Sequence, residues 1–217
     1  MTDSSRPGGP RSRKGVRTRA RLVDAAKQVF EEQGFLDARI SDIAERAGLS
    51  HGSFYHYFES KEEVFLEVAA GLEERMQVGA IAGSSSLVTD PHLDTLELLR
   101  RSCRSYLERY QAEARIMGVI EQVSRYDEEF RRARSLREQR YITEAGSGLA
   151  QLQAAGRADP TLDPRLVGPA LMGMITRFAE LWLVQGAVEC TLDEAVENLA
   201  SLLRNSLGVA ATEPEPT

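Results

Sequence analysis

The chain is short of cysteine, histidine, lysine and aromatic residues, and each shortage removes a class of function. Its 217 residues hold only two cysteines, Cys103 and Cys190, too few for a disulfide framework or a zinc cluster. A reduced, cytoplasmic setting is the expectation. The three histidines are His51, His56 and His92; His51 and His56 do not share a helix face, so they make a poor metal pair. No metal and no cofactor are expected. G-x-S-x-G and H-E-x-x-H do not occur, and no alternation of apolar and polar residues suggests a strand leading into a phosphate loop. An enzyme is disfavoured on these grounds. No run reaches the about 18 consecutive apolar residues of a membrane span, and residues 1–15 lack the apolar centre of a secretory signal. Three lysines stand against 24 arginines, a skew that carries no functional reading by itself.

What is present is ordinary for a folded, water-borne protein: 42% hydrophobic and 28% charged residues are enough for one or two cores. The net charge of −6 hides an asymmetry. Residues 1–23 carry seven cations (Arg6, Arg11, Arg13, Lys14, Arg17, Arg19, Arg21) against Asp3 alone, whereas residues 61–217 carry a net −8. A basic arm on an acidic body points to a polyanion partner at one end only. A mobile solubilising tail is the competing reading of the same composition.

Helical periodicity governs the chain. Apolar residues at Leu22, Ala26, Val29 and Phe30 predict a first helix from Thr18, stopped by Gly34. A second runs from Ile40 to Ala47 and a third from His51 to Phe58, capped by Ser50. Ser60 and Glu63 read as a capping box opening a fourth helix that reaches about Val78. Residues 79–90 read as a loop. Further helices are expected at about 92–111, 113–125, 127–155, 164–186 and 192–207. The fold class is all-α. The domain reading is a basic, disordered arm at 1–15, a helix-turn-helix domain at 16–64, a helical body at 65–209 and a disordered tail at 210–217.

The informative stretch is residues 40–58. Two helices joined by Gly48-Leu49-Ser50 make a helix-turn-helix. Ala44 and Ala47 are small enough for a close crossing, and Phe54 and Phe58 share the inward face of the third helix. Its other face offers His51, Gly52, Ser53, Tyr55, His56 and Tyr57: donors, acceptors and planar rings without a carboxylate. A face free of negative charge suits a groove lined by phosphates.

The run I-S-D-I-A-E-R-A-G-L-S-H-G-S-F-Y-H-Y-F-E-S-K-E-E-V-F resembles the DNA-binding signature of the TetR/AcrR family of transcriptional regulators, and the preceding A-A-x-x-V-F-x-x-x-G-F fits as well. The resemblance implies that Ser50, His51, Gly52 and Ser53 open the recognition helix toward the major groove. It implies that Tyr55 touches phosphate or a base, that His56 beside Tyr57 tunes specificity, and that Lys61 reaches a phosphate. One position departs from the pattern. Where the family has a capping threonine near the start of helix 2, this sequence has Arg39, which can hold a phosphate but cannot cap.

In the body, Met117, Tyr141, Met174, Phe178 and Trp182, with Phe130 and Met172, are soft or planar groups that form either core or a ligand cavity; the resemblance implies a cavity for an unidentified small-molecule effector. It also implies a homodimer through the last two long helices, where Leu166, Leu171, Ile175, Leu183, Val196, Leu199, Leu202 and Leu203 are candidates, with Gly168, Gly173 and Ala195 permitting close crossing. The helix starting at Lys61 would be the lever between the two parts. The functional expectation is a ligand-responsive repressor that binds a palindromic double-stranded DNA operator. A ligand-binding or scaffold protein of the same fold without operator binding is the alternative.

Overall fold

A computed structural model describes residues 13–77 and 94–208, with the side chains of Arg137, Glu138, Arg140–Ile142, Glu144 and Ala145 outside that description. Every regular element among the described residues is a helix: α1 (Arg13–Asp37), α2 (Ile40–Arg46), α3 (His51–Phe54), α4 (Lys61–Gln77), α5 (Thr95–Ala112), α6 (Ala114–Tyr126), α7 (Glu128–Ala154), α8 (Pro164–Leu183) and α9 (Leu192–Ser206). The arm up to residue 12, the expected loop at 79–90, the first turn of the helix expected from 92 and the C-terminal tail lie outside the described residues.

The start of the first helix differs from the sequence reading. Helix α1 begins at Arg13, so residues 13–15 are helical rather than part of a disordered arm. Gly15 is buried, and the Thr18 hydroxyl donates to the Lys14 carbonyl at 3.0 Å, one turn back, so the helix extends ahead of its apolar stripe. At its other end Gly34 takes φ 75, ψ 175. Backbone of that kind is open essentially to glycine alone, and it turns the chain so that Phe35 returns to the core.

The chain divides into two compact units. One holds the described residues up to Glu73 together with Val119–Arg131. Its centre is aromatic. Phe65 of α4 lies 5.0 Å from Phe30, 4.8 Å from Phe35 and 4.9 Å from Phe130 between ring centroids. Leu22, Val29, Ile43, Phe54, Phe58, Val64 and Ile120 are buried in the same unit. Phe130, grouped by sequence with the body, thus belongs to this core.

In the second unit α5 packs along α9. Leu99, Cys103, Tyr106, Leu107 and Tyr110 are buried from one side, and Val196, Leu199, Ala200 and Leu203 from the other. Arg100–Glu197 at 2.9 Å and Arg104–Asp193 at 2.5 Å flank that seam. Thr191 opens α9 with a full capping box to Glu194. These contacts correct one expectation: Val196, Leu199 and Leu203, candidates for a partner contact, are buried within their own chain. Helix α8 behaves differently. It is the one described helix long and apolar enough, by length and composition, to cross a membrane, yet only 17% of it is buried within the subunit.

Candidate nucleic-acid interface

The entry to α2 has no side-chain cap. Arg39 is extended at φ −113, ψ 144 and its guanidinium makes no capping bond, as the departure from the family pattern implies. The Arg39 carbonyl still accepts from Asp42 and Ile43 at 3.1 and 3.2 Å, so the helix starts on backbone bonds, with Asp42 in the first turn favouring its dipole. The exit is a Schellman arrangement. The Leu49 amide donates to the Ala44 carbonyl and the Gly48 amide to Glu45, both at 2.9 Å, with Gly48 at φ 65.

Ser50 then caps α3. Its hydroxyl oxygen accepts the Ser53 amide at 3.2 Å and lies 2.7 Å from the Ser53 hydroxyl. The α-helical part ends at Phe54, four residues short of the sequence expectation. Beyond it the His56 and Tyr57 amides donate to carbonyls three residues back, at 3.3 and 2.9 Å, and Phe58 returns to Phe54 at 3.1 Å. Such tightening is the usual end of a helix, and here it lets both Phe54 and Phe58 stay buried. The next helix is held by Ser60, which accepts the Glu63 amide at 3.1 Å, while Glu63 accepts the Glu59 amide at 2.5 Å. The reciprocal bond reaches one residue further back than a standard capping box.

On the outward side His51, Gly52, Tyr55 and His56 are exposed, and Ser53 and Tyr57 are half-buried. Tyr55 is 50% exposed, enough for its ring to meet a surface, and it stacks edge-on against His51 at 5.3 Å. Arg39 is exposed as well. The surface from Ser50 to Tyr57 therefore offers two imidazoles, two phenols and two hydroxyls, with no carboxylate.

Three cations have other engagements. Lys61, assigned to phosphate by the resemblance, donates to the carbonyls of Phe35, Ala38 and Leu36 at 2.7, 3.0 and 3.2 Å, and its ammonium stands 4.6 Å from the Phe35 ring centroid. Arg21 donates to the Ala47 carbonyl in the turn. Arg19 lies 4.4 Å over the Phe58 ring and pairs with Glu67. Sequence reasoning counted Arg19 and Arg21 in the basic arm; their partners lie tens of residues away, and nothing in the local pattern shows them. Arg13, Lys14 and Arg17 are exposed on α1.

Residues 22–68 match the sequence pattern of the family described as bacterial regulatory proteins, tetR family. That stretch holds the helix-turn-helix described above. Over 88 residues, 41% of its length, the chain is 38% identical to YdgC of Bacillus subtilis (strain 168), named as an uncharacterized HTH-type transcriptional regulator. The chain spans 43% of that relative, so less than half the length of the curated relatives is matched. A TetR-like transcriptional regulator from Rhodococcus sp. RHA1 superposes with a TM-score of 0.63 at 25% identity over 92% of this chain and 99% of that one. A TetR-family regulator from Mesorhizobium loti MAFF303099 gives 0.75 at 19% identity, over 91% and 98%, which extends the fold likeness through both units. Each is named as a transcriptional regulator and none as an enzyme.

In the second unit, Met117, Met174, Phe178 and Trp182 are half-buried. Phe178 and Trp182 lie one turn apart on α8 with ring centroids at 6.1 Å; the side chain of Tyr141 lies outside the described residues. Glu180, between them, is buried, pairs with Arg177 at 2.5 Å and accepts from the Gln185 amide at 2.7 Å. The burial of Glu180 was not signalled by the sequence. Cys103 is fully buried, and burial pushes its thiol up to about 12, which leaves it without thiolate for redox chemistry at neutral pH. Burial, and then Glu194, also raise the Cys190 thiol. Among the described residues no cluster of three His, Cys, Asp or Glu side chains could hold a metal ion.

Proposed function

We propose that this protein is a cytoplasmic, ligand-responsive repressor that binds a palindromic double-stranded DNA operator as a homodimer. The carboxylate-free surface from Ser50 to Tyr57, set on a glycine turn within a matched tetR-family domain, carries the reading. His51, Gly52, Ser53 and His56 read base edges, because they occupy the start of α3 and the exposed turn that follows it. Tyr55, Tyr57 and Arg39 hold phosphate, and Arg13, Lys14 and Arg17 add to the cationic rim.

The dimer reading rests on α8. Its exposed residues Leu166, Ala170, Gly173 and Arg177 fall at helical spacing on one line, and a Cβ built on Gly173 meets no atom within 4 Å. Leu202 on α9 is half exposed. A small-residue line on an otherwise apolar helix suits a helix of a second copy, packed at about 8–10 Å between axes. The Arg177–Glu180 pair within α8 favours a protein partner over lipid.

The effector is a small molecule with an apolar part, received near Phe178 and Trp182. A fold neighbour supports that chemistry: FadR from Bacillus subtilis, with a TM-score of 0.67 at 20% identity, was solved in complex with stearoyl-CoA. Selection from a random duplex pool tests the function. A recovered inverted repeat, with a preference that shifts when His56 is replaced while nonspecific affinity holds, supports the repressor. A pool that stays random at low salt favours the scaffold reading, in which the same fold binds ligand without an operator.

A further inference from the structure

We propose that Tyr55 has a second role beside its phosphate contact: its ring positions His51 for the base that His51 reads. The proposal rests on the reading of Ser50 to Tyr57 as the DNA face. His51 and Tyr55 stand four residues apart, so their side chains meet on one side of the helical turn. Their ring centroids lie 5.3 Å apart at an interplanar angle of 73°, the edge-to-face arrangement that aromatic pairs favour. The Tyr55 ring is itself held from behind. It meets Phe54 at 5.5 Å and 82°, and Phe54 is fully buried and lies 5.7 Å from Phe58. Aromatic contacts thus run from the core through Tyr55 to an exposed imidazole.

Among the described residues no hydrogen bond or ion pair holds the His51 ring, so its orientation depends on the Tyr55 ring and its nitrogens stay open to a ligand. A side chain oriented before binding loses less rotamer freedom on docking. An imidazole N–H suits the N7 acceptor that guanine and adenine both present in the major groove. The base class assigned to His51 is therefore a purine. In this arrangement the phenol hydroxyl fixes register on the DNA backbone, and the ring beneath it fixes the reading group.

The two parts of Tyr55 can be removed separately. A selected duplex is altered one base pair at a time, and relative affinities are measured for the intact protein, His51→Ala, Tyr55→Phe, Tyr55→Leu and the double variant His51→Ala with Tyr55→Leu. His51→Ala is expected to lose roughly tenfold in purine preference at one position of each half-site. Tyr55→Leu loses it at that same position, and adds no further loss of preference in the His51→Ala background. Tyr55→Phe keeps the ring, so it weakens all duplexes alike and leaves the preference intact. Tyr55→Met replaces Tyr55→Leu if the latter does not fold. Preference retained in Tyr55→Leu, preference lost in Tyr55→Phe, or losses that multiply in the double variant each overturn the proposal. A wild-type chain that selects no duplex defeats the repressor reading, and proton NMR of the free protein then decides the tie. His51 ring protons displaced by ring current in the wild type and Tyr55→Phe, but not in Tyr55→Leu, support it; equal shifts in all three overturn it.

Discussion

Gly173→Glu separates a helix face that awaits a partner from one that is merely exposed. Position 173 lies in the middle of α8, and nothing in the subunit stands within 4 Å of a Cβ there. Replacing glycine by glutamate in a helix interior gains about 0.5–0.8 kcal/mol of intrinsic propensity. A glutamate at 173 also sits four residues before Arg177, adding about 0.3–0.5 kcal/mol. The isolated subunit should therefore become more stable by roughly 1 kcal/mol. A dimer built on the line Leu166, Ala170, Gly173 suffers the opposite effect: the added side chain blocks close approach and its charge is desolvated, at a cost of about 3 kcal/mol or more. Sedimentation equilibrium reads the outcome as a dimer dissociation constant at least about 100-fold higher, with circular dichroism confirming retained helix. A variant that dimerises as tightly as the parent chain would refute the placement of the interface on this face.

Other perturbations probe the two cores and the turn. Phe65→Ala removes a fully buried ring that touches Phe30, Phe35 and Phe130, and should cost about 3–5 kcal/mol of the first unit's stability in urea unfolding; a loss below about 1 kcal/mol would contradict that packing. Gly48→Ala forces a left-handed backbone on alanine and crowds Arg21, so about 1–2 kcal/mol of stability should be lost, read as a lower melting temperature. Cys103, raised from 9.0 to about 12 by burial, must stay protonated in the folded chain. Stability from this group is full below pH 9 and falls as pH climbs toward 12, because the unfolded thiol releases its proton first. Cys103→Ala should flatten that alkaline decline in urea titrations; an unchanged decline would assign it to other groups.

The helix-turn-helix was legible because its determinants are local. Gly34, Gly48, the caps at Ser50 and Ser60, and the inward pair Phe54 and Phe58 each act within a few residues of their place in the chain. The length of α3 was not legible, since burying two phenylalanines four apart is compatible with either an α-turn or a tighter one. Charge did not reveal the intramolecular partners of the cations. Lys61, Arg19 and Arg21 look like phosphate ligands by type and position, and within the chain their partners are carbonyls, a ring and a carboxylate 23 or more residues distant. The apolar face of α9 had the same ambiguity. A stripe holding Val196, Leu199 and Leu203 says that something covers it, and only the fold shows that α5 does. Phe130 likewise showed helical spacing while its attachment to Phe65 depended on long-range packing.

In the proposed function the α3 surface enters the major groove of a specific duplex. Methylation protection at guanine N7 tests it most directly, since N7 is presented only in that groove. A duplex carrying a selected inverted repeat should show two protected patches about one helical turn, or a multiple, apart, and replacement of His56 should alter protection within each patch. Uniform protection without patches, or none at saturating protein, would contradict it.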